Sequence, residues 1–170
     1  MNQNFGNMLE WFVAAVMKRE FDSSATWGNR FKHSGMGGDY DVIACVENHL
    51  VYIEVKSSPP KHIEQSDIQA FMDRVCALRP NAAIFLEDTH LRMQDKLAEM
   101  FIDEMWRRYG EHADQAYPLR RLRGEIFSIQ KHIFLANTKP DLITNLEVCL
   151  THFLCQDLEG PLSECSCSST

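Results

Sequence analysis

The stretch DVIACVENHLVYIEVKSS, Asp41 to Ser58, is the part of the chain on which the fold reading turns. Two apolar runs flank a polar break, the pattern of a β-hairpin. The second run carries Glu54 and Lys56 among valines and isoleucines, although an unpaired buried ion costs on the order of several kcal/mol. With Asn48 and His49 as a two-residue turn closed by Glu47 and Leu50, Asp41 falls opposite Lys56 and Ile43 opposite Glu54. Side chains alternate along strands, so one face collects Val42, Ala44, Val46, Val51, Ile53 and Val55, all apolar. The other face groups Asp41, Glu54 and Lys56 at the open end, beside Tyr52, Ile43 and Cys45. Asp41 and Glu54 become diagonal neighbours at roughly 7–8 Å, within side-chain reach of one shared ion. A slip of one residue would scatter this group over both faces.

Two chemistries suit two carboxylates and an ammonium on a half-buried surface. One is a structural salt-bridge cluster. The other is a hard-cation site, because Mg²⁺ takes oxygen ligands and is usually held by one or two carboxylates plus substrate phosphate. Lys56, two residues after Glu54, points the same way and suits orienting a water or stabilising charge on phosphorus.

Outward from the hairpin, the apolar positions 8, 9, 12, 13, 16 and 17 predict an amphipathic helix over Asn7–Glu20. Ala25 to His33 reads as a short strand, followed by the glycine-rich turn SGMGGD. Pro59 and Pro60 end the second hairpin run. Ser66 and Gln69 fit a capping box for a helix to about Leu78. NAAIFLED (Asn81–Asp88) reads as a buried strand, and Arg92 to Tyr109 as a long amphipathic helix stopped by Gly110. YPLRRLRGE (Tyr117–Glu125) reads as a basic connector and IFSIQKHIFLAN (Ile126–Asn137) as one strand. Thr138 to Leu154 forms a closing helix with Pro140 in its first turn. The alternation predicts an α/β fold with a mixed sheet flanked by helices, in the order α-β-β-β-α-β with further C-terminal elements. Residues 1–156 form one domain in this reading, and 157–170 a polar, disordered tail.

A chain of 170 residues can bury a substantial core as one domain. Its net charge of -7 argues against general polyanion binding, although a local basic patch or a metal-filled acidic site can still handle phosphate. No apolar run reaches the ~18 residues of a membrane span, and the N-terminus lacks the pattern of a secretory signal. The cysteines sit mostly in apolar segments, which suits a reducing cytoplasm. Cys149, His152 and Cys155 combine on paper with Cys165 and Cys167 as a zinc site, but helical spacing is the simpler account.

Asp41 followed by Glu54-Val55-Lys56 resembles the D…(D/E)xK motif of the PD-(D/E)xK, or restriction-endonuclease-like, nuclease superfamily. The text SGMGGDYDVIACVENHLVYIEVKSS, Ser34 to Ser58, is most similar to its Holliday-junction-resolvase and Mrr-type branches. The resemblance covers about Phe5 to Asp88, with Tyr40 where the pattern often has proline. It implies a restriction-endonuclease-like core and phosphodiester hydrolysis in DNA by water attack. Asp41 and Glu54 would bind Mg²⁺ or Mn²⁺, and Lys56 would assist. Such relatives carry a further glutamate on the preceding helix, where Glu10 stands; its plain alternative is a solvated charge at the edge of the apolar stripe. A polar residue on the helix after the ExK strand often completes such sites. Gln65 and Gln69 are the candidates, with Gln69 also claimed by the capping box.

Arg30, Lys32, Lys61, Arg120, Arg121 and Arg123, with His33, His62, Arg107 and Arg108, are candidates for a nucleic-acid-facing rim, because Arg suits phosphate contact. Solvated strand and helix ends explain the same charges. Trp27, Trp106 and Tyr109 suit either base stacking or packing. The rival function is a non-catalytic module that keeps the fold to bind nucleic acid or a protein. Cutting two strands commonly uses two sites, which raises a homodimer as an expectation, although no residue marks its interface.

Overall fold

The computed structural model describes residues 3–31, 39–57 and 60–156. Helix α1 (Gln3–Glu20) leads into strands β1 (Ser24–Asn29), β2 (Tyr40–Val46) and β3 (His49–Lys56). Then follow α2 (Gln65–Leu78), β4 (Ala82–Glu87), α3 (Glu99–Tyr109) and a short α4 (Ala113–Ala116). Strands β5 (Leu119–Arg123), β6 (Ile126–Ile129) and β7 (Ile133–Asn137) precede the closing helix α5 (Leu142–Gln156). The strands form one mixed sheet in the order β1-β2-β3-β4-β7-β6-β5. Strands β3, β4 and β7 are mutually parallel, and their outer neighbours are antiparallel.

The class is therefore α/β with helices on both faces, as the alternation of patterns predicts. On one face, α1 and α5 pack Val13, Val16, Met17, Leu146 and Cys149 against Val42, Ala44, Val51, Ile53 and Ile84. On the other, α2 and α3 pack Phe71 and Phe101 against Tyr52, Phe85 and Leu135. Phe71, Phe85 and Phe101 meet edge to face, with centroids 5.4–5.9 Å apart. The hairpin's apolar face contributes to the first core throughout, so its alternation is read correctly.

Its register is not. The pairs Val42↔Ile53 through Val46↔His49 make Glu47 and Asn48 the turn residues. Both have positive φ, +48° and +64°, the requirement of a type I′ turn, which matches the twist of the flanking strands. The correction is a shift of two residues, so every side chain keeps its face.

Other boundaries differ for physical reasons. The basic stretch Leu119–Arg123 is a strand rather than a connector, and Ile126–Asn137 is two strands rather than one. Gln130, at φ +54°, turns the chain between them. Helix α2 is capped two residues earlier than expected, with the Glu64 N–H donating to Asp67 Oδ2 at 2.9 Å. The segment before α3 winds as a π-type turn over Gln94–Ala98. Pro140 lies ahead of α5, whose first turn is capped by Asp141 Oδ1 accepting the Thr144 N–H at 3.0 Å. Strand β1 ends at Asn29; Lys32, His33, most of the glycine-rich turn and the expected tail 157–170 lie outside the described residues. Among the described residues, no helix is long and apolar enough to cross a membrane.

Candidate functional site

Continuing the hairpin register by one pair sets Asp41 directly opposite Glu54, closer than the diagonal expected from the sequence. Asp41 Oδ2 accepts the Val55 N–H at 2.7 Å, which fastens this carboxylate at the open end of the two strands. Glu54 is only 2% exposed. Its Oε1 receives Arg74 Nη1 at 3.1 Å and Lys56 Nζ at 3.1 Å. Its Oε2 receives Arg74 Nη1 at 3.0 Å and the Tyr52 hydroxyl. Lys56 Nζ also reaches Asp67 Oδ1 at 3.1 Å. This enclosure accounts for charge inside an apolar strand: two cations and a phenol compensate the buried carboxylate. It also fills the roughly four acceptor positions a carboxylate offers.

The Asp41 carboxyl is pushed up to about 8, chiefly by burial, then by the charges of Glu54 and Glu10; the Val55 N–H and Lys56 offset this only partly. Glu10, half-buried on α1, is also raised, by burial first and then by Glu54 and Asp39. Glu10 thus stands within electrostatic range of the hairpin carboxylates rather than in open solvent. Burial by itself would lower Lys56, but Glu54 and Asp67 more than compensate and hold it charged. The charge of Glu54 raises both Asp41 and Glu10, and a divalent cation among these hard oxygen donors reverses that sign. The donor chemistry fits Mg²⁺ or Mn²⁺. The geometry is less complete: among the described residues, no three Asp, Glu, His or Cys side chains converge as a metal cage.

Neither glutamine joins the group. Gln65 Nε2 donates to Met100 O at 3.1 Å, bridging α2 to α3, and the main-chain carbonyl of Gln69 accepts from Arg108 Nη2 at 3.2 Å. The α2 residues that reach the site are Arg74, which contacts Glu54, and Asp67, which contacts Lys56, and the sequence reading missed both. Their seven-residue spacing, two helical turns on one face, was the available signal.

The candidate rim disperses. Arg30 grips Asp39 through a bidentate pair at 2.6 and 2.8 Å, and Lys61 is exposed on the turn just after the site strand. Lys32 lies outside the described residues. Arg120, Arg121 and Arg123 sit on the edge strand β5, four strands from β3. At strand spacing that is about 19 Å. Arg121 is engaged by Glu125 at 2.5 Å. Arg107 and Arg108 are tied to the fully buried Glu104, and Tyr109 stacks on Tyr117 with centroids 4.1 Å apart, so these are packing features. Cys149 is buried in the core, with its thiol pushed up by desolvation, while Cys155 is exposed.

No protein-family model, curated protein or solved structure matches the chain.

Proposed function

We propose that the chain is a metal-dependent nuclease of restriction-endonuclease-like architecture, hydrolysing phosphodiester bonds in DNA at Asp41, Glu54 and Lys56. The observation that carries this reading is the cross-strand opposition of Asp41 and Glu54, with the Asp41 carboxyl raised to about 8 by burial and like charge. A buried carboxylate pair of this kind is a cation-seeking arrangement. The order of the first six main elements, α-β-β-β-α-β, also agrees with such a core.

Asp41 and Glu54 would hold Mg²⁺ or Mn²⁺, with Glu54 yielding one of its present contacts to the ion, and Glu10 adds negative charge from α1 without converging on the pair. Bound there, the ion would activate a water and stabilise charge on the phosphate. Lys56 lies beside Glu54 as a fixed positive charge for the phosphate oxygens. Asp67 and the Glu54–Arg74 pair hold Lys56 and Glu54 in place, and Arg30 and Lys61 supply nearby positive charge for a nucleic-acid backbone. Gln69 has no part in this scheme.

One observation favours the second reading, a non-catalytic binding module: Glu54 is already saturated by Tyr52, Arg74 and Lys56. Incubation with supercoiled, linear, single-stranded and branched DNA under Mg²⁺, Mn²⁺ or EDTA separates the two. The nuclease reading expects ion-dependent cleavage that Lys56→Ala abolishes while fold and ion binding persist. Asp41→Asn should lose both cleavage and ion affinity. A wild type that cuts no substrate with either ion, or a Lys56→Ala variant as active as wild type, transfers the site to the binding module.

A further inference from the structure

The two edges of the sheet are treated differently. Strand β5 carries Arg120, Arg121 and Arg123, the kind of charge that keeps an exposed edge from pairing with another chain. Strand β1, at the opposite edge, reads SATWGN and has no charged residue and no proline. Among the described residues, its only strand partner is β2.

Helix α1 packs over β1 and β2, and it is apolar on more than the side it buries. Val13, Val16 and Met17 face the core. Phe5, Met8, Trp11 and Phe12 lie along its flank and outer side, 43%, 55%, 52% and 46% exposed, so Phe12 falls outside the buried stripe in which the sequence pattern puts it. Trp27 on β1 adds another large side chain, 44% exposed. At about half exposure, five such side chains offer roughly 500 Å² per copy. That is near the upper end for a patch on a monomer, and two copies together bury the ~1,000 Å² expected of a specific interface, before strand backbone is added.

We propose that β1 and the outer face of α1 form an isologous interface with a second copy of this chain. A two-fold axis beside β1 pairs β1 antiparallel with its mate and continues the sheet, which satisfies the open N–H and C=O groups of both edges. The same axis keeps both α1 helices on one face of the sheet. A helix above β1 and β2 lies about 5 Å from the axis, so the two helices come about 10 Å apart, the distance of packed helices. They run antiparallel, with opposed dipoles aligned favourably. A second copy also suits the surface chemically. The charges that continue these helix positions, Lys18 and Arg19, are basic, and Arg19 is paired with Glu20, so the repulsion between two chains of net charge -7 has no focus there.

The inference does not depend on catalysis, and its test uses neither metal nor DNA. Sedimentation velocity of the full chain over a wide concentration range should give twice the monomer mass at the upper end. Met8→Glu combined with Phe12→Glu should halve that mass with unchanged far-UV circular dichroism, because both side chains lie outside the monomer core. Thr26→Lys, which sets like charges across the paired edges, should shift the dimer to monomer independently. A wild type that stays monomeric at the highest concentration reached overturns the proposal, as does a dimer that survives both variants. A monomeric wild type whose DNA affinity falls with the α1 variant assigns the face to nucleic acid and overturns it equally.

Discussion

Glu54 is tolerated in the middle of the sheet because Arg74, Lys56 and Tyr52 surround it. Removing one partner of such a group leaves the others buried and unpaired. Glu54→Ala should therefore destabilise the fold by about 3–5 kcal/mol, measured by urea unfolding. A loss no larger than that of an ordinary surface change would mean that the network contributes little. Glu87, at the end of β4, is the contrasting case: it is fully buried and neither carboxylate oxygen has a hydrogen-bond partner. Burial raises its carboxyl to about 7, offset in part by Lys96. Because the folded value lies above the unfolded one, its stabilising contribution is complete below about pH 4.5 and is lost as pH rises through about 7. Glu87→Gln should thus gain on wild type as pH rises, reaching about 2–3 kcal/mol at pH 8 and little at pH 4. Parallel melting curves of the two proteins at both pH values read this difference directly.

Among the elements, the β2–β3 hairpin has the clearest local conflict. Its two turn residues are left-handed, yet the first of them is Glu47, a residue with no preference for that region. Left-handed geometry costs an ordinary residue about 1–2 kcal/mol. Replacing Glu47-Asn48 by Asn-Gly, the preferred type I′ pair, should raise stability by about 1 kcal/mol without moving Asp41 or Glu54. A substitution that instead shifts the register would separate the carboxylates and appear as weaker ion binding as well as a changed melting midpoint. Helix α2 shows a different economy. Asp67 serves both its cap, through the Glu64 N–H, and the site, through Lys56. Asp67→Asn should therefore cost helix stability and also alter the Lys56 environment, whereas Gln69→Ala should leave the site undisturbed.

At the scale of the whole molecule, the sheet holds two charged regions apart. Arg120, Arg121 and Arg123 lie about 19 Å across the strands from the Glu54–Lys56 group, roughly the width of a duplex. If nucleic acid spans that distance, replacing Arg120 and Arg123 by Ala should weaken binding of a long duplex. Its salt slope should fall by about 1 for each phosphate the variant no longer neutralises. Short substrates that end before β5 should be cut as before. Equal weakening on short and long DNA would place these arginines outside the substrate path.

The α/β class, the hairpin and its apolar face, and the grouping of Asp41, Glu54 and Lys56 were all legible in the sequence. Each rests on alternation, whose period of two is local and survives a register error of two residues. The exact turn, the Glu64–Asp67 cap and the division of Ile126–Asn137 into two strands were not. Each turns on backbone angles or partner choice among several acceptable residues. Arg74 left only a faint signal, its helical spacing from Asp67, because its role depends on packing that lays α2 across the end of β3, twenty residues from Glu54 in the chain. The exposed side of α1 was hidden in the same way. Periodicity identifies a helix rich in apolar residues, but only the tertiary structure decides which of them the sheet covers and which remain for something else.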